Sequence, residues 1–201
     1  VCSSDLGVFY LPHCKGLVKN ENGSYFYDIE DLDHNGNVDL SDGGDRYIAG
    51  QATPKVILGS NISFRYKNYY VSIQMNGAFG HKIFNGTGLA YTSMACFPDY
   101  NVLKDAPKKN IVDQRVSDYW LEKGDYLNFE HLTIGYNVPL RSKLIRSLRV
   151  SCNISNIGTI TGYKGLTPMI NSYVVNSTMG IDDKRNYPLY RTYSLGLSVQ
   201  F

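Results

Sequence analysis

From Thr192 to Phe201 the chain alternates without interruption. Tyr193, Leu195, Leu197, Val199 and Phe201 fall on one face of an extended strand. Thr192, Ser194, Gly196, Ser198 and Gln200 fall on the other, because successive side chains of a strand point to opposite sides. A sheet containing this strand must cover one apolar face. A water-soluble protein covers it with its own core; the remaining setting is an apolar medium outside the protein.

Four further segments carry the same period. Val56, Leu58, Ile62, Phe64 and Tyr66 share a face opposite Gly59, Asn61, Ser63 and Arg65. Tyr69, Val71, Ile73, Met75 and Phe79 stand opposite Ser72, Gln74, Asn76 and Ala78. Leu132, Ile134, Tyr136 and Val138 alternate with Thr133, Gly135 and Asn137, and Leu148, Val150, Cys152 and Ile154 with Arg149, Ser151 and Asn153. Leu127 and Phe129 are out of phase with the set that begins at Leu132, which predicts a bulge or register change near Glu130. Seventeen Tyr, eight Phe and nineteen Gly agree with an all-β chain.

The connections are unequal. Lys67-Asn68 predicts a tight hairpin, and Pro139 to Ser147 a short turn. About 46 residues separate the second strand from the third and about 32 the fourth from the fifth, lengths uncommon between elements of compact domains. If sequential strands pair antiparallel, both short turns and Phe201 lie at one end of the sheet and every long connection at the other. Short periplasmic turns and long extracellular loops are the asymmetry of outer-membrane barrels. Tyr66, Tyr69, Tyr136 and Phe201 cluster at the short-turn end, where an aromatic girdle would meet headgroups. Tyr126, Phe79, Tyr190 and Tyr193 lie toward the opposite end. The competing architecture is a soluble β-sandwich whose long loops hold a binding site. Five strands cannot close a membrane barrel, whose smallest members have about eight, so the membrane reading makes this chain part of a larger barrel.

Other classes find little support. No run of about eighteen apolar residues exists for a transmembrane helix. A net charge of +2, without a basic stripe, points away from nucleic acid. No signal-peptide pattern opens the chain. Val1-Cys2-Ser3-Ser4-Asp5-Leu6 resembles a translated sequencing adapter, so residues 1–6 are expected to be non-native. Cys14, Cys96 and Cys152 form no Cys-x-x-Cys pair and predict neither a zinc site nor a disulfide framework; Cys152 reads as a small hydrophobe on the apolar strand face.

Asp31-Leu32-Asp33-His34-Asn35-Gly36-Asn37-Val38-Asp39-Leu40-Ser41-Asp42 has the spacing of an EF-hand-like loop. Oxygen donors occupy positions one, three and five, and Gly36 stands where the turn needs positive φ. Asn37 offers its carbonyl, Asp39 a water-mediated contact and Asp42 the closing carboxylate. Asp31, Asp33, Asn35, Asn37, Asp39 and Asp42 are therefore the expected ligands of a structural calcium ion, in a loop flanked by no clear helical pattern. The alternative is a polar turn that uses Asp, Asn and Gly for their local hydrogen bonding alone. His13, His34, His81 and His131 share no spacing with a nucleophile or metal motif. Asp182-Asp183 reads as a charged loop, and no Gly-x-Ser-x-Gly, P-loop or dinucleotide fingerprint is present. No enzyme is expected.

In combination, several segments resemble the C-terminal barrel region of SusC/RagA-type TonB-dependent transporters. They are the Asp-rich loop followed by Ile48-Ala49-Gly50 and Pro54, Phe64-Arg65-Tyr66-Lys67-Asn68-Tyr69, Glu122-Lys123-Gly124-Asp125-Tyr126-Leu127, Leu132-Thr133-Ile134-Gly135-Tyr136 and Thr161-Gly162-Tyr163-Lys164-Gly165. Tyr187-Pro188 and Arg191-Thr192-Tyr193 extend the likeness toward Phe201. Thr167-Pro168-Met169 and Asp125-Tyr126 depart from the family's usual Asp-Pro-Glu and Ser-Tyr. Ser194-x-Gly196-x-x-Val199-x-Phe201 also resembles the terminal signal read when outer-membrane barrels are inserted. The resemblance implies an antiparallel transmembrane β-barrel of about 22 strands, of which this chain supplies about five C-terminal ones. It implies an extracellular loop region over 7–54 carrying the calcium loop, and barrel over 55–201. It further implies import of a glycan or peptide across the outer membrane, a SusD-like surface lipoprotein as cap, and TonB acting through an N-terminal plug that this stretch lacks. A secreted, calcium-stabilised β-sandwich that binds carbohydrate is the alternative.

Overall fold

The computed structural model describes residues 2–3, 7–41, 43–141, 144–170, 179–184 and 187–201. In chain order the strands are β1 (Cys2–Ser3), β2 (Val8–Leu11), β3 (Cys14–Lys19), β4 (Tyr25–Ile29), β5 (Tyr47–Gln51), β6 (Val56–Tyr66) and β7 (Tyr69–Phe79). They continue as β8 (Lys82–Asn85), β9 (Leu121–Lys123), β10 (Tyr126–Val138), β11 (Ser147–Thr161), β12 (Ile181–Asp182) and β13 (Thr192–Gln200). Helices α1 (Gly86–Thr92) and α2 (Ala106–Lys109) lie between β8 and β9. The chain divides into two compact units.

One unit comprises residues 55–79, 125–162 and 188–201 and holds a five-stranded sheet in the order β13-β11-β10-β7-β6. Every pairing is antiparallel and joins strands consecutive within the unit. These are the five strands read from the alternation. The Tyr66↔Tyr69 pair closes the tight hairpin, with Lys67 at φ 51. Val138↔Leu148 and Ser147↔Gln200 lie at that same end. Val56↔Phe79 and Tyr126↔Thr161 lie at the other, from which the long connections leave.

The register shifts between Phe129 and His131 against both neighbours, as the phase change at Glu130 predicts. The bulge has a definite consequence. Phe129 pairs with Met75 and Leu127 with Gly77, while Leu132 pairs with Ile73. The extra residue therefore returns Leu127 and Phe129 to the face that carries Leu132 and Ile134. On β11 the irregularity is taken up next to Asn156, which adopts φ 54.

The other unit comprises residues 1–54, 80–124 and 163–187. Its small sheets are β1-β2-β5, β3-β4 and β12-β8-β9. Phe9 and Leu11 of β2, Tyr27 and Ile29 of β4, Phe84, Ile111 and Trp120 form its core. Trp120 Nε1 donates to the Tyr27 hydroxyl at 2.9 Å, so both polar atoms enter the core with a partner. The described residues of this unit thus do not trail as loops; they gather around an apolar core of their own.

The charged loop expected at Asp182-Asp183 requires a correction. Asp182 is fully buried in β12, which pairs parallel with β8 through Ile181↔Phe84. Its carboxylate accepts the Thr87 hydroxyl at 2.8 Å and the Tyr163 hydroxyl at 2.8 Å. A buried acid needs such donors because desolvation otherwise penalises its charge. Burial foremost, and then the bond to Asp182, push the Tyr163 phenol well above its ordinary pKa. Tyr163→Phe should therefore lower stability by about 1.5–3 kcal/mol, the range for hydrogen bonds to charged groups. A urea titration with an unchanged midpoint would show that this bond contributes nothing.

Candidate functional site

Two regions carry candidate chemistry. In the sheet, the register lines up apolar side chains across all five strands. One row runs Phe64, Val71, Ile134, Cys152, Leu195, and the next Ile62, Ile73, Leu132, Ile154, Tyr193. Much of this face is open: Phe64 is 65% exposed, Leu195 85% and Leu197 69%. An apolar area of this width in contact with water is unfavourable in proportion to its size. Tyr66, Tyr69 and Tyr136 stand side by side at the short-turn end, with the Tyr69 and Tyr136 rings 4.6 Å apart.

The opposite face is polar and internally bonded. Ser63 and Ser72 are linked at 3.0 Å, Thr133 donates to Asn153 at 2.8 Å, Thr159 to Asn128 at 2.9 Å and Arg149 Nε to Asn137 at 2.9 Å. Tyr70 lies across Gly135, where a Cβ would come within 2.0 Å of its ring. The Arg149 guanidinium sits 5.3 Å from the same ring, within cation–π range. Glycine at position 135 is what lets the aromatic ring lie against the sheet.

The second region is the acidic loop. Asp31 accepts the Gly36 N–H at 2.8 Å, and Gly36 takes φ +88. That bond, the largest influence, holds the Asp31 carboxyl below its usual pKa. Asp33 accepts the Asn35 side chain at 2.7 Å, and Asn35 in turn accepts the Asn37 N–H at 2.8 Å. Asp39 is bound by Ser41 through both its N–H and its hydroxyl, at 2.8 and 2.7 Å. These bonds, the backbone one first, lower its pKa. Asp42 lies outside the described residues.

The structure brings Asp31 and Asp33 together with Asp45, one carboxylate oxygen from each within 4.8 Å of the others. Asp45 is fully buried. It accepts the Leu32 N–H at 2.5 Å, the Asp33 N–H at 3.3 Å and the Asp39 N–H at 2.8 Å, and its own N–H donates to the Asp39 carbonyl at 2.7 Å. A Cβ on Gly44 would meet that same carbonyl at 2.4 Å. A twelve-residue template ends at Asp42 and misses Asp45. The legible signal is Gly43-Gly44, which turns the chain back just before Asp45 and β5. A donor set made wholly of carboxylate and amide oxygens suits a hard cation such as calcium and no thiophilic metal.

The histidines are dispersed. His13 Nδ1 lies 2.6 Å from Asp118, which also accepts the Tyr47 hydroxyl at 2.7 Å. Burial first, then Asp118, push the Tyr47 phenol up to about 12. His131 contacts the Ser155 hydroxyl at 3.1 Å, His81 is buried against Gly124, and His34 stands exposed in the acidic loop. Cys14 and Cys152 are free thiols, and burial raises the Cys14 pKa.

No family model matches the chain. It is 28% identical over 188 residues to TonB-dependent receptor P3 of Formosa agariphila, covering 85% of this chain and 18% of that protein. It is 27% identical over 198 residues to TonB-dependent receptor SusC of Bacteroides thetaiotaomicron, covering 92% of this chain and 18% of that one. The chain thus spans less than a fifth of the length of these curated relatives. Among solved structures it superposes on the RagAB peptide importer in its open-open state with a TM-score of 0.70 at 18% identity, covering 96% of this chain and 22% of that one. The closed-closed state gives 0.68 at 16% identity, over 98% and 24%.

Proposed function

We propose, from the premise that this chain is homologous to SusC/RagA-type TonB-dependent receptors over about 18–24% of their length, that its long sheet is part of an outer-membrane barrel which imports a glycan or oligopeptide. TonB-dependent transporters are not enzymes, and neither is this chain. The single observation that carries the membrane reading is the exposed apolar face running across β6, β7, β10, β11 and β13. Lipid covers such a face, while the hydrogen-bonded polar face lines the lumen. β6 and β13 are the outer strands of the sheet; in a barrel of about 22 strands each pairs onward with a strand outside this stretch. A carbohydrate-binding β-sandwich would bury the same face against a second sheet, and the exposures of Leu195 and Phe64 weigh against it.

In this reading residues 7–54 lie on the extracellular side, and 55–201 supply barrel strands together with two excursions. A SusD-like lipoprotein caps the assembly, and TonB supplies energy through the transporter's plug. Asp31, Asp33 and Asp45, with Asn35, Asn37, Asp39 and Asp42 near them in the chain, hold a structural calcium ion. The ion would neutralise carboxylates brought within repelling distance and do no chemistry of its own. Import is tested by deleting the gene in the organism that encodes it and following uptake of labelled oligosaccharides and oligopeptides. Loss of one class, restored by complementation, is the expected result; uptake of every class at the parental rate would overturn the reading.

A further inference from the structure

β11 outruns its neighbour β13. Ser155↔Thr192 is the last pair between them on the side of the long connections, so from Asn156 onward this edge of β11 has no ladder partner among the described residues. The Arg191 side chain takes that place. Its Nε donates to the Asn156 carbonyl at 3.4 Å and its Nη2 to the Ile157 carbonyl. Asn156 Nδ2 donates in return to the Tyr190 carbonyl at 3.0 Å. A guanidinium is a rigid plane of five N–H donors. Nε and Nη2 make up one edge of it, and that edge faces the β11 carbonyls. The second edge, made by the two Nη atoms, meets no further protein acceptor among the described residues, and Arg191 is exposed.

Its height along the sheet identifies what it can meet. Arg191 and Phe201 bracket β13 and stand ten residues apart. At about 3.3 Å per residue and a barrel tilt of about 40°, that span rises about 25 Å, the height of a barrel's apolar band. With lipid over Leu195 and Leu197, Arg191 therefore comes to the far boundary of the band, beside the exposed Tyr190 and Tyr193. Tyrosine rings settle at headgroup level in such a place. Gly158, next to Ile157, leaves open space where a Cβ would stand. A planar pair of N–H donors matches two oxygens of a phosphate, and a neutral headgroup would leave the charge unanswered. We propose that Arg191 binds the phosphate of an anionic lipid in the outer leaflet. The proposal rests on the membrane reading, and its test keeps the two apart.

The probes are dioleoyl phosphatidic acid and dioleoylglycerol, which share acyl chains and differ in the phosphate. Each is titrated into the intact protein in a non-ionic detergent, and bound lipid is counted by native mass spectrometry. Phosphatidic acid should bind at least about tenfold more tightly, a difference of about 1.4 kcal/mol. Arg191→Gln should lower its affinity about fivefold to tenfold while leaving dioleoylglycerol unchanged. Arg191→Lys, which keeps the charge without the planar fork, should restore only part of that loss. Inorganic phosphate at about 10 mM should not displace the lipid; displacement would make this a free-anion site and overturn the proposal. Equal affinity of the unaltered protein for both lipids would overturn it too, and that comparison requires no variant to fold. Flotation of the same protein with phosphatidylcholine vesicles reports the membrane reading by itself. Flotation with equal lipid affinities sinks the phosphate site alone, and failure to float sinks both.

Discussion

Leu195→Arg should destabilise the intact protein by about 2–4 kcal/mol if lipid covers the apolar face, whereas Ser194→Arg should be far milder. The two positions are adjacent in sequence and differ only in face. Leu195 pairs with Cys152 in the row that includes Phe64, Val71 and Ile134, and Ser194 pairs with Asn153 on the polar side. Leu195 lies near the middle of β13, where, in the proposed membrane setting, an arginine can neither reach the headgroups cheaply nor find a partner. On the polar side the same guanidinium meets Asn153 and Thr133 and stays hydrated. Refolding titrations into bilayers compare the two directly. Equal tolerance would mean that the apolar face meets protein and not lipid.

Asp45→Ala should lower the stability of the compact unit that contains it by about 3 kcal/mol, because three backbone N–H groups lose a charged acceptor at once. Leu32, Asp33 and Asp39 supply those groups, so the loop should open along its whole length. Asp33→Ala, at an exposed position, should leave the calcium-free fold almost unchanged and act only on cation binding. Limited proteolysis separates these effects. The unaltered chain should be cut faster in the loop after chelation, since binding to the native state alone adds stability. Asp33→Ala should be cut at that faster rate with or without calcium. Cleavage indifferent to calcium in the unaltered chain would leave the loop a plain turn held by Asp45.

How much of this was legible beforehand depended on segment length and on the distance to a partner. Eleven residues of alternation in Val56–Tyr66 identify both a strand and its faces, and the tight turn at Lys67-Asn68 names the neighbour. The phase change between Phe129 and Leu132 likewise exposed the bulge. A four-residue strand such as Lys82–Asn85 shows only two positions per face, too few to separate a strand from a loop. Its partners Leu121–Lys123 and Ile181–Asp182 lie far along the chain, so no local turn announces them. Asp182 misleads for the same reason. Beside Asp183 and Lys184 it looks solvated, and only the folded chain brings Thr87 and Tyr163 to it. Asp31 and Asp33 were visible through fixed spacing, whereas Asp45 lay beyond the template that revealed them.

The bulge at Glu130 bears on how the sheet avoids mispairing. In a regular alternating strand, sliding by two residues keeps every side chain on its proper face, so the hydrophobic pattern alone leaves several alignments nearly equivalent. β10 is not regular. Its phase reverses once, opposite the regular Gln74–Met75 step of β7, and a matching irregularity stands on β11 beside Asn156. A two-residue slip against β11 would separate the two irregular steps and leave each opposite an unbroken ladder. The extra residue therefore works as a notch that admits one alignment of the central strand with β11.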